Sequence, residues 1–262
     1  MSNLQLTSAS NWSNKVPEIT LSFWIIKIMS TTVGETGADF LAVNVGLGQN
    51  ITCVIMSVLL LIALFIQLNT HRNTPWIYWL TVVLVSIVGT QITDLLTDGL
   101  NVSLYLSTFI FSILLALIFT IWYRAEHTLS IHEIVTRPRE LFYWAAILCT
   151  FALGTAAGDL ATETLGLGFI WGAIIFGILI GICFVAWRMG ANAVLTFWVA
   201  YILTRPFGAA LGDFLTQDKI YGGLGIGAMW TSILFLSIIG MLVSKAQLNT
   251  NINKNQPIQT NH

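Results

Sequence analysis

The stretch FWIIKIMSTTVGETGAD, residues 23–39, sets the pattern for the whole chain. It places a Gly ten residues after a Trp, and an Asp five residues after that Gly. The same spacing occurs four times, at Trp24-Gly34-Asp39, Trp79-Gly89-Asp94, Trp144-Gly154-Asp159 and Trp198-Gly208-Asp213. Recurrence at fixed offsets indicates an internal repeat architecture. We therefore predict four structurally equivalent units.

The composition is that of a protein that crosses a membrane several times. The 262-residue chain is 56% hydrophobic and 9% charged, with a mean hydropathy of +0.80, whereas a soluble domain carries about 25% charged residues. A net charge of −1 leaves no basic surface for nucleic acid. The three cysteines lie in apolar runs and form no CxxC pair, which argues against a disulfide framework. The lipid bilayer is the expected partner.

Eight stretches of mostly apolar residues are long enough to span a bilayer, which takes about 20 residues. They are residues 18–41, 50–69, 76–98, 102–123, 140–162, 168–188, 194–216 and 223–244. Spans with the Trp-Gly-Asp pattern alternate with plainer ones, so each repeat is a helix pair and all pairs run in the same direction. Parallel repeats are related by an axis along the membrane normal. We predict an all-α polytopic membrane protein with a pseudo-fourfold arrangement, the motif helices around the axis and the plainer helices toward lipid.

The repeats divide the chain into six segments. They are a polar N-terminal segment 1–17, repeat 1 at 18–75, repeat 2 with a cytoplasmic loop at 76–139, repeat 3 at 140–192, repeat 4 at 193–245 and a disordered tail at 246–262. The N-terminal segment lacks the apolar core of a secretory signal peptide. Most Lys and Arg residues outside the spans fall on the N-terminal side, against Lys219 alone on the other. The positive-inside rule then predicts that both termini are cytoplasmic.

Residues spaced by four lie on one face of a helix. In each repeat, the Asp therefore shares a face with the residues four, eight and twelve positions before it. These faces read Lys27, Thr31, Glu35, Asp39; Val82, Ser86, Thr90, Asp94; Ile147, Phe151, Thr155, Asp159; and Tyr201, Arg205, Ala209, Asp213. Charged residues inside spans normally face the bundle interior and mark an ion or substrate path. We predict such a path along Asp39, Asp94, Asp159, Asp213, Glu35, Lys27, Arg205, Thr31, Thr90 and Thr155.

Several of these residues also have a purely structural interpretation. Each Asp could cap the backbone of the next turn, although an anion at a helix C-terminus is disfavoured by about 0.3–1 kcal/mol. The repeat tryptophans could be interface anchors or packing wedges. Lys27 and Arg205 could gate or tune the path, or only neutralise neighbouring carboxylates. The repeat glycines could permit close helix packing, or act as hinges that expose carbonyls, as in discontinuous transporter helices. Those glycines are Gly34, Gly89, Gly154 and Gly208.

The available side chains favour a hard cation as ligand. The histidines fall on predicted loops or the tail, which argues against a haem or zinc site within the membrane; they are His71, His127, His132 and His262. Carboxylate, carbonyl and water ligands suit Mg²⁺, Ca²⁺ and Mn²⁺. The predicted metal ligands are Asp39, Asp94, Asp159, Asp213 and Glu35, and we expect no cofactor beyond such a bound cation. His127, His132 and Glu133 could bind a metal weakly, but a solvated loop is the simpler interpretation.

Five stretches resemble one family of bacterial inner-membrane proteins, named only for a repeat of unknown function. The stretches are KVPEITLSFWIIK, TTVGETGAD, LSIHEI, FYWAAILCTFALGTAAGDL and FWVAYILTRPFGAALGD. The family has four tandem copies, each with two membrane helices and a characteristic Trp, and the resemblance covers about residues 15–245. It implies a location in the bacterial inner membrane but no chemistry. The second copy departs from the pattern, because GTQITD lacks the Gly just before the Asp.

The function expected from these features is transport. Walker, nucleophile-elbow and metalloprotease motifs do not occur in the sequence, so we expect no enzyme. We predict a secondary transporter or exchanger of a hard cation (Mn²⁺ or another divalent, or H⁺ or Na⁺) through a carboxylate-lined path. One alternative is a transporter of a small organic solute, such as a cationic or zwitterionic metabolite, whose carboxylate would be held by Lys27 and Arg205. Another is a non-transporting scaffold or sensor that works through the loop at residues 124–140.

Overall fold

The computed structural model describes residues 14–70 and 72–255, which form eight long helices with no strand among them. The helices are α1 Leu21–Asp39, α2 Gln49–Asn69, α3 Pro75–Asp94, α4 Leu104–Glu126, α5 Arg137–Asp159, α6 Gly168–Arg188, α7 Ala193–Thr216 and α8 Ala228–Asn255. The all-α class predicted from the sequence is confirmed. The predictions for residues 1–13 and 256–262, and for His71 and His262, lie outside the described residues.

Seven helices of the described chain, α2 to α8, are long and apolar enough to cross a membrane. Helix α1 is not among them, because Lys27, Glu35 and a run of Ser and Thr residues lower its hydropathy. These polar residues are buried against other helices rather than exposed on the outside of the bundle. A helix enclosed by protein needs less apolar surface than one in contact with lipid.

The helices that carry the Trp-Gly-Asp pattern form the centre of the molecule. Helices α1 and α5 each pack against both α3 and α7, so these four motif helices contact one another in a closed cycle. Each plain helix packs against the motif helix of the following repeat, α2 on α3, α4 on α5, α6 on α7 and α8 on α1. Most of α3 is buried, whereas α6, which is described in full, buries Gly172 alone. The plain helices therefore form an outer layer.

Several helix boundaries differ from the sequence prediction by a few residues; for example, α8 begins at Ala228 instead of residue 223. Helix α5 begins at Arg137 instead of residue 140, because Pro138 lies in its first turn, where the missing N–H of proline costs no hydrogen bond. The loop before it consequently shortens to residues 127–136. Helix α8 continues to Asn255, so residues 246–255 are helical where a disordered tail was expected.

Three of the motif helices change geometry directly after their Asp. Single π-helical turns, Phe40–Asn44, Leu95–Gly99 and Leu160–Thr164, follow Asp39, Asp94 and Asp159. Helix α7 instead stays α-helical through Asp213 to Thr216 and contains Pro206. Single π-turns within helices frequently occur at functional sites. The four repeats are therefore similar in packing but differ at the end where the Asp residues lie.

Candidate functional site, an acidic cavity between the motif helices

A cavity of about 360 Å³ lies where the four motif helices end. Seven carboxylates of the described chain line it, and every motif helix or the turn after it contributes at least one. They are Glu35, Asp39, Asp94, Asp98, Asp159, Glu163 and Asp213. Neutral polar side chains complete much of the wall, among them Gln49, Gln91, Thr97 and Gln217. We call this space the acidic cavity.

The four repeat aspartates, Asp39, Asp94, Asp159 and Asp213, all face the acidic cavity. None of them has a side-chain hydrogen bond or ion pair with another described residue. In particular, the first three form no capping bond to the turn that follows them. The structural interpretation as backbone caps therefore has no support at those three positions. The side chains instead face one shared space that is lined by acidic side chains.

Two carboxylates of the cavity, Asp98 and Glu163, were not among the candidates chosen from the sequence. Both are exposed, and each lies four residues beyond a repeat Asp, so they form the mouth of the cavity. The signal was present, because the same four-residue step that links Thr90 to Asp94 continues to Asp98. The amides of Gln91 and Gln217 carried no comparable signal.

Arg205 lies beyond the inner end of the cavity, where it is bonded to the lining residue Glu35. It is fully buried, and the two N–H groups of its Nη2 are shared among three acceptors within hydrogen-bond distance, Glu35 Oε2 at 2.8 Å, Thr155 Oγ1 at 2.6 Å and Thr90 Oγ1. Glu35, Thr90 and Thr155 occupy the same place in three repeats, four residues before the Asp. The fourth repeat has Ala209 there, on the helix that supplies Arg205. One guanidinium thus joins equivalent positions on three helices.

Lys27 lies deeper and does not line the cavity. Its Nζ is 3.7 Å from the centroid of the Phe151 ring and 4.1 Å from that of the Tyr201 ring, a cation–π arrangement. The hydroxyl of Thr31 lies 3.4 Å from Nζ and donates to the Lys27 carbonyl at 2.8 Å. The Arg205 guanidinium lies 5.8 Å from the same Phe151 ring. Phe151 therefore lies beside both buried cations.

The repeat glycines are contact points between neighbouring motif helices. Each faces the residue that stands eight positions before the Asp of the next motif helix. A Cβ on the glycine would lie 1.6 Å from Ser86 Oγ at Gly34, 2.6 Å from Phe151 Cβ at Gly89, 2.3 Å from Arg205 Cγ at Gly154 and 2.6 Å from Thr31 Cγ2 at Gly208. The helices stay α-helical at all four glycines. The geometry there is that of close packing, and the hinge alternative has no broken helix to support it.

The repeat tryptophans close the end of the helix cycle opposite the cavity. Trp79, Trp144 and Trp198 are buried, and Trp24 is half-buried. Their rings contact those of other aromatic residues, including Phe23, Tyr78, Tyr143, Phe197 and Tyr201. We call these nine residues the aromatic cluster. The packing interpretation of the tryptophans therefore fits better than the interface anchor, because three of the four are enclosed by protein.

The predicted metal ligands surround the cavity rather than converge on one point. Within the described part of the chain, no three His, Cys, Asp or Glu side chains are placed to hold a metal ion directly. This applies to the repeat aspartates and also to the loop that carries His127, His132 and Glu133. The cavity is instead large enough for a hydrated ion, because six waters occupy about 180 Å³ at about 30 Å³ each. Mg²⁺ commonly keeps several of its waters when bound by protein.

The four repeats match one family model. The model is described as "Repeat of Unknown Function (DUF347)", and it matches residues 22–73, 77–128, 142–190 and 196–245. The chain belongs to this repeat family. The resemblance drawn from the sequence is thereby confirmed, together with the number of repeats. Neither a curated protein nor a solved structure matches the chain significantly. The family description names no chemistry.

Proposed function

We propose that this protein is a membrane transporter or exchanger that takes up a hard cation at the acidic cavity. Mn²⁺ or another divalent is the favoured substrate, with H⁺ or Na⁺ as substrate or counter-ion. The observation that carries the proposal is that seven acidic side chains line one cavity, and that Glu35 alone among them is bonded to Arg205. A concave site lined by charges of one sign focuses the field and concentrates ions of opposite sign.

The distribution of basic residues supports an orientation for the proposed path. Apart from Lys27 and Arg205, eight Lys and Arg residues of the described chain lie toward the end of the bundle opposite the cavity, namely Lys15, Arg72, Arg124, Arg137, Arg139, Arg188, Lys245 and Lys254. At the cavity end, the described chain has Lys219. By the positive-inside rule this supports cytoplasmic termini and a cavity that opens outward from the bacterial inner membrane.

The packing supports eight spans related by a pseudo-fourfold axis. The contacts of each motif helix with the next, and of each plain helix with the following repeat, are equivalent around the cycle. Helix α1 takes its place in that cycle between α3 and α7, so we assign it as the eighth span despite its polar residues. The path would then run along the axis between α1, α3, α5 and α7.

The closed inner half of the bundle points to alternating access. Below the acidic cavity, Arg205, Phe151 and Lys27 fill the axis, and the aromatic cluster follows. An ion in the cavity therefore has access to one side only in this conformation. In repeat-built transporters, access alternates when bundles or repeats rock around a fixed site. We assign the present arrangement to the outward-open state.

An organic cation is the second candidate substrate. The volume of about 360 Å³ exceeds that of a bare metal ion, and the carboxylates surround the space without converging. A substrate carboxylate fits less well, because Lys27 and Arg205 do not line the cavity. No structural observation favours the scaffold or sensor alternative over transport.

The test is Mn²⁺ flux into proteoliposomes that contain the purified protein. The combined variant Asp39→Asn, Asp94→Asn, Asp159→Asn and Asp213→Asn should lose most of the flux. Asp218→Asn is the matched control, because Asp218 is exposed at the same end but does not line the cavity. Wild-type flux in the folded combined variant would overturn the proposal. Flux of an organic cation such as putrescine, without Mn²⁺ flux, would instead favour the second candidate substrate.

A further inference from the structure

The side chains that hold the Arg205 guanidinium make up the ligand set of a cation site. Glu35 offers a carboxylate, and Thr90 and Thr155 offer hydroxyl oxygens, each from a different helix. All three oxygens lie within hydrogen-bond distance of the single atom Nη2. Carboxylate and hydroxyl oxygens are ligands for hard cations. A positive charge at the position of Nη2 is therefore already coordinated as a bound ion would be.

The two hydroxyls have their lone pairs turned toward this position. Thr90 Oγ1 donates to the Ser86 carbonyl and Thr155 Oγ1 to the Phe151 carbonyl, both at 3.1 Å. Since each hydroxyl has one proton, both can act only as acceptors toward Nη2. This orientation persists without Arg205, because the carbonyls belong to the same helices as the hydroxyls. A divalent metal ion or Na⁺ at this position would be coordinated by the same oxygen lone pairs.

Arg205 is held on one side only. Its Nε and Nη1 are buried and have no hydrogen-bond partner among the described residues, so Nη2 makes all of its polar contacts. A bidentate arginine–carboxylate pair would use two nitrogens and be stronger. Next to it, the Lys27 side chain lies near the same Phe151 ring and offers the guanidinium no hydrogen-bond acceptor. The contact through one nitrogen alone weakens the hold of Glu35 on the guanidinium relative to a bidentate pair.

We propose that Arg205 is a built-in competitor that occupies the inner cation site of the transport path. This inference rests on the proposed function. A hard cation that leaves the acidic cavity for the interior binds Glu35, Thr90 and Thr155 by displacing the guanidinium. While Arg205 is bound there, the site is closed to the ion. The guanidinium and the ion thus occupy the inner site in alternation. This alternation would prevent a continuous leak of ions along the axis.

The test compares equilibrium Mn²⁺ binding to detergent-solubilised variants, with free Mn²⁺ measured by electron paramagnetic resonance. Arg205→Met keeps the Cβ and Cγ that pack on Gly154 but removes the charge. We expect it to bind one Mn²⁺ more per chain than the wild type, and Glu35→Gln in the same background to abolish that increment. Lys27→Met is the control, because it removes the other buried cation without freeing Glu35, and it should add no site.

Equal Mn²⁺ stoichiometry in Arg205→Met and wild type would overturn the inference, as would an equal gain in Lys27→Met. Should Arg205→Met fail to fold, Arg205→Gln removes the same charge and is subject to the same criteria. The increment is independent of transport, so it separates the two proposals. Loss of flux and of wild-type Mn²⁺ binding in the Asp variants tests the acidic cavity, whereas the Glu35-dependent increment tests the role of Arg205.

Discussion

Gly154 of α5 and Arg205 of α7 fit so closely that a Cβ on Gly154 would lie 2.3 Å from Arg205 Cγ. The same contact recurs around the helix cycle, with Ser86, Phe151 or Thr31 opposite the other repeat glycines. Each glycine thus leaves room for a side chain of the next motif helix. In α7 that side chain is Arg205, so the packing of the repeats also fixes the depth at which the guanidinium meets Glu35.

Gly154→Ala should destabilise the protein and weaken the contact between Arg205 and Glu35. The added methyl group overlaps Arg205 Cβ and Cγ and approaches Pro206, and overpacking of this kind costs about 1–3 kcal/mol. Thermal unfolding in detergent measures the loss. Gly181→Ala on α6 is the control, since a Cβ there meets no atom within 4 Å, and alanine favours a helix over glycine by about 1 kcal/mol. Equal melting temperatures for the two variants would contradict the packing role.

Asp98→Asn and Glu163→Gln should weaken ion capture at the mouth of the cavity. Both residues are exposed, so their charges attract cations mainly at low salt, where the Debye length is long. We expect a rise in the half-saturating Mn²⁺ concentration, by about tenfold for the pair at low ionic strength, with little change in maximal rate. Flux measured at two salt concentrations checks this. A lower maximal rate at unchanged half-saturation would assign these residues to a later step.

Glu140→Gln should destabilise the protein far more than Glu133→Gln. Glu140 and Lys15 form a buried ion pair, and Gln67 Nε2 donates to Glu140 at 3.1 Å. Removal of one partner from a buried pair costs about 3–5 kcal/mol, because the other charge stays buried. Glu133 is 3.8 Å from Arg139 with a side chain 53% exposed, and such pairs contribute about 0–1 kcal/mol. Chemical unfolding measures the free energy of unfolding of both variants. A comparable loss in Glu140→Gln and Glu133→Gln would contradict the prediction.

Tyr143→Phe should cost more stability than the double variant with Tyr78→Phe. The two buried hydroxyls are 2.5 Å apart in the aromatic cluster. The single change leaves Tyr78 Oη buried without this partner, at a cost of about 1–3 kcal/mol, whereas removal of both hydroxyls can be nearly neutral. Melting temperatures of the single and double variants measure the difference. A double variant less stable than Tyr143→Phe would show that water or another group satisfies Tyr78.

The repeat spacing was sufficient to predict which residues share a level in the bundle. Identical offsets in four copies place Asp39, Asp94, Asp159 and Asp213 at equivalent depths, and these residues do line one cavity. The partners of Arg205 could not be read in the same way. They depend on the relative rotation and depth of α7 against its neighbours, and the close fit at Gly154 sets that register. The periodicity within one helix does not determine how that helix is rotated or shifted relative to its neighbours.

Other features escaped because local statistics favoured a different outcome. Tryptophan is common at membrane interfaces, so residue type alone could not decide between an interface anchor and the buried packing position that Trp79, Trp144 and Trp198 have. The end of α8 has a polar sequence without an apolar stripe, and its helical continuation to Asn255 gives no periodic signal. The π-turns after three Asp residues likewise have no reliable sequence signature.

The most direct test of cation uptake at the acidic cavity is a structure of the protein with Mn²⁺, located by its anomalous scattering. Uptake through this site predicts an anomalous peak within the space bounded by Asp94 and Asp159, which disappears in the combined Asp→Asn variant. The contradictory result is an empty cavity at Mn²⁺ concentrations that saturate binding or transport, with any peak confined to the opposite end of the bundle.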